Sequence, residues 1–315
     1  MCADQPKPPT LDYVVVDVFT SSAFAGNPLA VVFGAEGLSD DQLAAIAVEF
    51  NLSETTFPVP LTPADAAAGA DYRLRIFTPA GEIPFAGHPT LGTAWVLRER
   101  GLVPPGSRLQ ACGAGLIGVA LPNDRDAPVE LSAPARDAAR RLSDAEVLEV
   151  CGLVGLDPDD VAGPAYVAGC GLSWLYLRVA PQAVSRARPG ARRVDEAVVD
   201  RTGLADPLEG VDVYAVESGS SAGEPLLVSS RVFLPGFGIP EDPATGSAAV
   251  GLGLALVAAG LAAPDGPTSY EITQGVDMGR PSRLSGRVEA ADGIGVRSSV
   301  AGQVVEVAAG RIRVP

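Results

Sequence analysis

Apolar positions along this chain follow two spacings. Short runs rich in Val, Ile and aromatic residues are typical of β-strands, and they occur at residues 13–19, 29–33, 72–77 and 174–179. Residues 109–121 predict a strand pair, and residues 270–314 predict further strands. A segment behind Ser39 instead has apolar residues at helical spacing, which predicts a capped helix ending near Asn51. The pattern therefore predicts a chain that contains both strands and helices.

The longest apolar segment begins in a polar loop, EDPATGSAA at 241–249, and continues to residue 257 with small or apolar residues on every side. A helix without a polar face is enclosed by protein. We expect Asp242 to cap this helix and Pro243 to occupy its first position. The first-turn N–H groups near Gly246 and Ser247 would then be free to bind a carboxylate.

This segment has an earlier counterpart. RIFTP at 75–79 is matched by RVFLP at 231–235, and IP at 83–84 by IP at 239–240. After a two-residue deletion, HPTLGTA at 88–94 aligns with DPATGSA at 242–248, which puts His88 opposite Asp242. The chain thus contains two copies of a strand–turn–helix unit, with different titratable residues beside the two helix starts.

The repeat extends beyond these units. Ser143 and Glu146 form a capping box for a helix to about Val154, and residues 194–202 predict a helix in the place of the one after Ser39. We expect an α+β protein of two pseudo-symmetric halves, each with strands wrapped around a central helix. The predicted domains are 11–128 and 129–302, with a last strand, 303–315, returning to the first. The site is expected in the cleft between them, where two helix starts face an anionic substrate.

Composition argues against several classes of partner and ligand. A formal charge of −15 argues against nucleic acid or an anionic membrane as a partner. The four cysteines are scattered and the chain has one histidine, so no metal site is expected. No signal peptide precedes the first strand and no apolar run is long enough to span a membrane, so we expect a cytoplasmic protein.

Four segments together resemble the signature of the PhzF family of phenazine-biosynthesis isomerases. They are NLSET at 51–55, RIFTP at 75–79, PFAGHPT at 84–90 and EDPATGSA at 241–248. DVF at 17–19 with NP at 27–28, and QG at 274–275 with PS at 281–282, extend the resemblance over nearly the whole chain. The resemblance implies the diaminopimelate-epimerase-like fold, a homodimer, and an isomerase that uses neither metal nor cofactor.

The resemblance also implies roles for residues. Glu54 is the expected acid/base, while His88 and Asp242 complete the expected catalytic set. The expected substrate-binding residues are Asn27, Ser53, Gly87, Gly246, Ser247, Gln274 and Gly275. The second half shows no counterpart of the Glu54 segment, which favours a one-base proton shuttle that moves a double bond.

The sequence leaves three functions open. One is an isomerase acting on a small carboxylated, cyclic, amino-acid-like molecule in secondary metabolism, with trans-2,3-dihydro-3-hydroxyanthranilate as one candidate substrate. The second is an amino-acid epimerase of the same fold that uses His88 and Asp242. The related epimerases carry two cysteines at those places, which argues against two-thiol chemistry here. The third is a binding protein without catalysis.

Overall fold

The computed structural model describes residues 9–197, 199–201, 204, 208–217, 223–235 and 240–315. Its first half consists of β1 (Thr10–Val18), β2 (Asn27–Val32), α1 (Asp40–Phe50), β3 (Glu54–Val59), α2 (Pro63–Ala67), β4 (Tyr72–Thr78), β5 (Gly81–Ile83), α3 (Gly87–Glu99), β6 (Gly106–Cys112), β7 (Gly115–Leu121) and β8 (Val129–Pro134).

The rest of the chain repeats this order with additions. It consists of β9 (Arg140–Arg141), α4 (Asp144–Val154), β10 (Tyr166–Gly169), β11 (Ser173–Arg178), α5 (Pro181–Val184), β12 (Leu208–Val216), β13 (Leu226–Phe233), β14 (Glu241–Asp242), α6 (Gly246–Ala258), β15 (Gly266–Gln274), β16 (Ser282–Ala291), β17 (Ile294–Gly302) and β18 (Val304–Arg313).

The strand pairings show the two halves most clearly. In the first half β1 pairs with β2, β2 runs parallel to β3, β3 pairs with β4, β4 runs parallel to β6, and β7 and β8 follow. In the second half β10, β11, β12, β13, β15, β16 and β17 repeat this series with parallel pairs at the same places. The predicted pseudo-symmetric α+β architecture is confirmed. The division into domains at residues 128 and 129 stays a prediction.

Two junctions join these series. Strand β8 pairs with β17, so the hydrogen-bonded ladder passes from one half to the other. Strand β18 returns to pair with β1 along its whole length, from Thr10 opposite Arg313 to Val18 opposite Val304. The end of the chain therefore completes the sheet in which the chain begins.

The central helices α3 and α6 are almost wholly buried, and α6 is packed especially tightly. An added Cβ at Gly251 would lie 2.2 Å from the Tyr176 hydroxyl oxygen, and one at Gly253 would lie 2.7 Å from that of Tyr270. These two hydroxyls donate hydrogen bonds of 2.8 Å to carbonyls of the first turns of α6. Glycine is needed at both positions because the tyrosines approach the helix backbone so closely.

The start of α6 differs from the prediction. The helix begins at Gly246, with Thr245 as its N-cap residue and no side-chain cap. Asp242 lies before it in β14, opposite Val232 of β13. Strand pairing holds the Asp242 backbone extended, so the predicted cap by Asp242 and first helical position for Pro243 are wrong. When α3 and α6 are aligned on their first residues, Gly87 and Gly246, His88 corresponds to Ser247 and not to Asp242.

The other helix predictions are partly confirmed and partly wrong. Helices α1 and α4 are confirmed, each with the capping box of Ser39 or Ser143. The helix predicted at 194–202 is wrong: the described part contains only a 3-10 turn, Val194–Glu196, and residues 198 and 202 lie outside the described residues. Its N–H groups bond three residues back, and the Val194 N–H bonds to the Pro235 carbonyl. In the described part of the chain, no helix is long and apolar enough to cross a bilayer.

Candidate active site

The starts of α3 and α6 meet at a cavity of about 250 Å³. An added Cβ at Gly87 would lie 3.1 Å from the Ser247 backbone nitrogen and 3.2 Å from the Gly246 Cα. Both helices thus point their free N–H groups at one place, where the two helix dipoles favour a negative charge. The structure thus brings the two helix starts to one cavity, and their role in binding a substrate stays a prediction.

All three expected catalytic residues, Glu54, His88 and Asp242, line this cavity. Three of the seven expected substrate-binding residues line it as well, namely Gly87, Gly246 and Ser247. A larger depression of about 520 Å³ lies near Phe19 and Arg283, and its described lining includes none of the predicted site residues. The smaller cavity is therefore the candidate active site, because the predicted site residues line it.

Asn27 organises the floor of the site. Its Nδ2 donates hydrogen bonds of 2.9 Å both to Asp242 Oδ1 and to the carbonyl of Ala244. Its Oδ1 accepts a bond of 3.2 Å from the Ser53 hydroxyl. Asn27 and Ser53 lie behind the cavity, on an adjoining groove of about 460 Å³ that shares Asp242 with it. Asn27 thus fixes the position of Asp242 from a fully buried position.

His88 is a neutral imidazole. Burial lowers its pKa to about 3, although the Pro28 carbonyl opposes the shift. His88 Nδ1 lies 3.2 Å from Asn27 Nδ2, but both hydrogens of that amide already go to closer acceptors. Nδ1–H is therefore free to donate to the Pro28 carbonyl. In this tautomer the Nε2 atom carries a lone pair and faces Glu54.

Glu54 stands at the start of β3, and its side chain is 14% exposed. Its Oε2 lies 3.4 Å from His88 Nε2, and neither atom has a hydrogen-bond partner among the described residues. Burial first, and then the charge of Asp242, raise the pKa of Glu54 to about 8, with the Ser53 hydroxyl opposing. The contact between Glu54 and His88 is thus one between two neutral groups at pH 7, not an ion pair. A carboxyl with a pKa near neutrality can both take and return a proton.

Asp242 carries the second carboxyl of the cavity. Burial raises its pKa to about 6, while hydrogen bonds from Thr245 and Asn27 oppose the shift. The Thr245 hydroxyl donates to Oδ2 at 2.5 Å. These donors keep Asp242 more acidic than Glu54, so the two carboxyls differ in protonation at neutral pH.

Gln274 and Gly275 lie behind Asp242 and are not among the described residues that line the cavity. Gln274 Nε2 donates 2.8 Å to the Asp242 carbonyl, and its Oε1 accepts from the Thr245 N–H at 3.2 Å. Gly275 has φ +74°, and an added Cβ there would lie 2.6 Å from the Pro243 carbonyl oxygen. In this structure both residues support the loop that carries Asp242.

A family model described as phenazine biosynthesis-like protein matches residues 16–310. The chain belongs to the PhzF family. The trans-2,3-dihydro-3-hydroxyanthranilate isomerase of Pseudomonas aeruginosa is 37% identical over 286 residues, or 89% of this chain and 91% of that protein. A PhzF-family structure from Bacillus anthracis has a TM-score of 0.79 at 22% identity, over 96% of this chain and 99% of that one. A predicted epimerase from Pseudomonas aeruginosa has a TM-score of 0.71 at 29% identity, over 96% and 98%.

This PhzF-family chain is an isomerase with the diaminopimelate-epimerase-like fold. Its cavity also contains residues that the sequence motifs do not include. They are Leu172, Trp174 and Glu209, all from the second half. Trp174 was predictable as a strand residue but not as a cavity residue, because the repeat does not show which strand end reaches the helix starts.

Proposed function

We propose that this PhzF-family isomerase moves a proton between two carbons of a small, cyclic, carboxylated substrate, and so shifts a double bond, with Glu54 as its single acid/base. The observation that carries the proposal is the Glu54 carboxyl itself. It is enclosed, its pKa is raised to about 8, and its Oε2 lies beside the two helix starts without a hydrogen-bond partner among the described residues.

The helix starts supply the binding of the substrate carboxylate. Free N–H groups of α3 and α6 converge at Gly87 and Gly246, and Ser247 lies beside them on the cavity wall. A carboxylate held there is stabilised by both helix dipoles. The ring of the substrate then lies over Glu54, which belongs to the neighbouring strand β3.

The proton shuttle uses Glu54 in two states. Ionised Glu54 takes a proton from one carbon, and electrons of that C–H bond form the new double bond while the old one opens. Protonated Glu54 then returns a proton to the carbon at the far end of the system. His88 Nε2 can accept a hydrogen bond from protonated Glu54, since its lone pair faces Oε2 at 3.4 Å. Asp242 raises the proton affinity of Glu54 through its charge.

The candidate substrate is trans-2,3-dihydro-3-hydroxyanthranilate, the molecule in the name of the relative at 37% identity. A related cyclic amino acid of secondary metabolism is the second candidate. The proposed chemistry needs neither metal nor cofactor, because the titratable groups of the cavity suffice for it. A homodimer remains a prediction from the family resemblance, and a cytoplasmic location remains a prediction from the sequence.

The proposal is tested by NMR in deuterated buffer with trans-2,3-dihydro-3-hydroxyanthranilate. We expect deuterium to enter the carbon that gains a proton, together with a shifted double bond. Deuterium at the α-carbon with the double bond in its original place would instead identify the epimerase. If a panel of related cyclic acids binds but exchanges no proton, the protein is a binding protein and the proposal is wrong.

A pH profile of activity tests whether Glu54 is a base whose pKa is raised by burial and by the charge of Asp242. Because ionised Glu54 is the base, we expect kcat/KM to rise with pH up to about 8, the raised pKa of Glu54, and then to level off. Asp242→Asn removes the charge that contributes to this shift, so its profile should level off at a lower pH. Carbon-13 NMR of labelled glutamate side chains gives the same pKa where activity is too low to measure. A midpoint that stays in place or moves to higher pH would contradict the assignment.

A further inference from the structure

Trp174 presents an unsatisfied donor at the cavity. Its side chain is 2% exposed and lines the cavity, yet its Nε1–H has no hydrogen-bond partner among the described residues. Buried N–H groups without partners are uncommon and destabilise a protein. An added Cβ at Gly210 would lie 2.9 Å from Trp174 Cζ3, so the opposite edge of the ring is held in place by close backbone contact. The indole is therefore fixed before any ligand binds.

Glu209 reaches the same cavity through a β-bulge. In the parallel pair of β11 and β12, Ser173 lies opposite Leu208 and Trp174 lies opposite Gly210. Glu209 is the extra residue between these pairs. Bulges redirect side chains and are common next to active sites, and Glu209 lines the cavity. Partial burial raises the pKa of its carboxyl, and no hydrogen bond or ion pair to Glu209 is found among the described residues.

The bulge of the second half lies next to the position that corresponds to Glu54 in the first half. Arg75 pairs with Phe57 in the first half, and its repeat counterpart Arg231 pairs with Val213 in the second. Three residues before Phe57 stands Glu54, and three residues before Val213 stands Gly210. Gly210 therefore occupies the position in the second half that Glu54 occupies in the first. The second half thus has no carboxyl at the position of the proposed base, and its Glu209 enters the cavity from the neighbouring position.

We propose that Trp174 and Glu209 form a recognition subsite for a hydroxyl substituent on the ring of the substrate. A hydroxyl both accepts and donates a hydrogen bond, so it can accept from the indole N–H and donate to the carboxylate. An ammonium group would leave Trp174 unsatisfied, and a ketone could not donate to Glu209. The inference rests on the proposed function, because it assumes that the substrate carboxylate lies at the helix starts. Within that substrate class, the protein is expected to prefer the members that carry a hydroxyl on the ring.

Two stable aromatic acids test the subsite without turnover. Anthranilate and 3-hydroxyanthranilate differ by one hydroxyl, and calorimetric titration gives a Kd for each. We expect the wild type to bind 3-hydroxyanthranilate about 10- to 100-fold more tightly, the range of a hydrogen bond that involves a charged group. Glu209→Met should reduce this ratio to near one while leaving the Kd of anthranilate within about threefold. Trp174→Phe should reduce the ratio in the same direction.

Controls separate recognition from folding and from catalysis. Trp95→Phe changes the other tryptophan, which lies outside the cavity, and should keep the wild-type ratio. Thermal melts identify a variant that does not fold, and Glu209→Met, at a bulge near the strand end, keeps the test open if Trp174→Phe is unstable. Equal binding of the two acids by the wild type, or an unchanged ratio in Glu209→Met, overturns the proposal. Lack of binding by both acids also overturns it.

The two proposals fail in different ways. If Glu54→Gln retains proton exchange, the proposed function is wrong, whatever the binding ratio. If Glu209→Gln abolishes exchange while the binding ratio stays at its wild-type value, Glu209 is an acid/base and the recognition subsite is wrong. A changed ratio with exchange still dependent on Glu54 supports both proposals.

Discussion

Glu54→Gln is expected to reduce the rate of proton exchange by about 10²–10⁴-fold, the usual contribution of a general acid/base. The amide has nearly the shape of the carboxyl but can neither take nor return the proton. Binding of a carboxylated ligand should persist, because the helix starts that hold it are unchanged. The measurement is deuterium incorporation by NMR beside the wild type, with ligand affinity determined by calorimetry.

Stability provides an independent check on the same variant. The pKa of Glu54 is about 8 in the folded protein and 4.5 as its ordinary value, so the folded state binds the proton more tightly than the unfolded state does. The wild type therefore loses stability as pH rises from about 4.5 to 8. Glu54→Gln should remove this loss and be at least as stable as the wild type at pH 8. Glu49→Gln, on the exposed face of α1, should change neither activity nor stability; full exchange activity in Glu54→Gln would refute the one-base mechanism.

Asn27→Asp is expected to destabilise the protein by about 3–5 kcal/mol at pH 8, the cost of an uncompensated buried charge. The substitution keeps the shape but replaces the Nδ2 donor, 2.9 Å from Asp242 Oδ1 and from the Ala244 carbonyl, by a carboxylate oxygen. Two acceptors then face each other in a fully buried position. Because a shared proton relieves the repulsion, the loss should be smaller at pH 5 than at pH 8.

Urea denaturation at the two pH values measures this effect. Asn123→Asp makes the same chemical change at an exposed position and should stay within about 0.5 kcal/mol of the wild type. If Asn27→Asp were as stable as Asn123→Asp, the hydrogen bonds of Asn27 would not hold Asp242 in place. A loss that is independent of pH would point to packing and not to charge.

Much of the fold could be predicted from local chemistry. The caps at Ser39 and Ser143 each involve residues within one turn, so the sequence shows both partners of the capping box. The paired segments RIFTP and RVFLP predicted two similar halves because both copies kept the same apolar and charged order. Glu54 belongs to the motif NLSET, and the lack of a second copy of that motif in the sequence agrees with Gly210 at the corresponding place of the second half.

The remaining features depend on distant parts of the chain. The sequence around Asp242 is typical of a helix cap. Strand pairing with β13 and the hydrogen bond from the Asn27 amide instead hold Asp242 in β14, before the helix. The cavity position of Glu209 depends on a bulge in pairing with β11, which strand propensity does not reveal. The segment after Val194 has helical composition, yet its first N–H bonds to Pro235, far along the chain.

The matching order of the two halves bears on how such an enzyme can arise. A half-sized ancestor would have a single helix start and would need a second copy to enclose a cavity. In a symmetric homodimer every residue occurs twice around the axis, so that ancestor could offer only duplicated groups to its ligand. A cavity with Glu54 on one wall and Gly210 at the matching place requires two copies that differ in sequence, and this single chain contains both. Two unlike halves in one chain therefore allow a chemical group to stand on one wall of the cavity without a copy on the other.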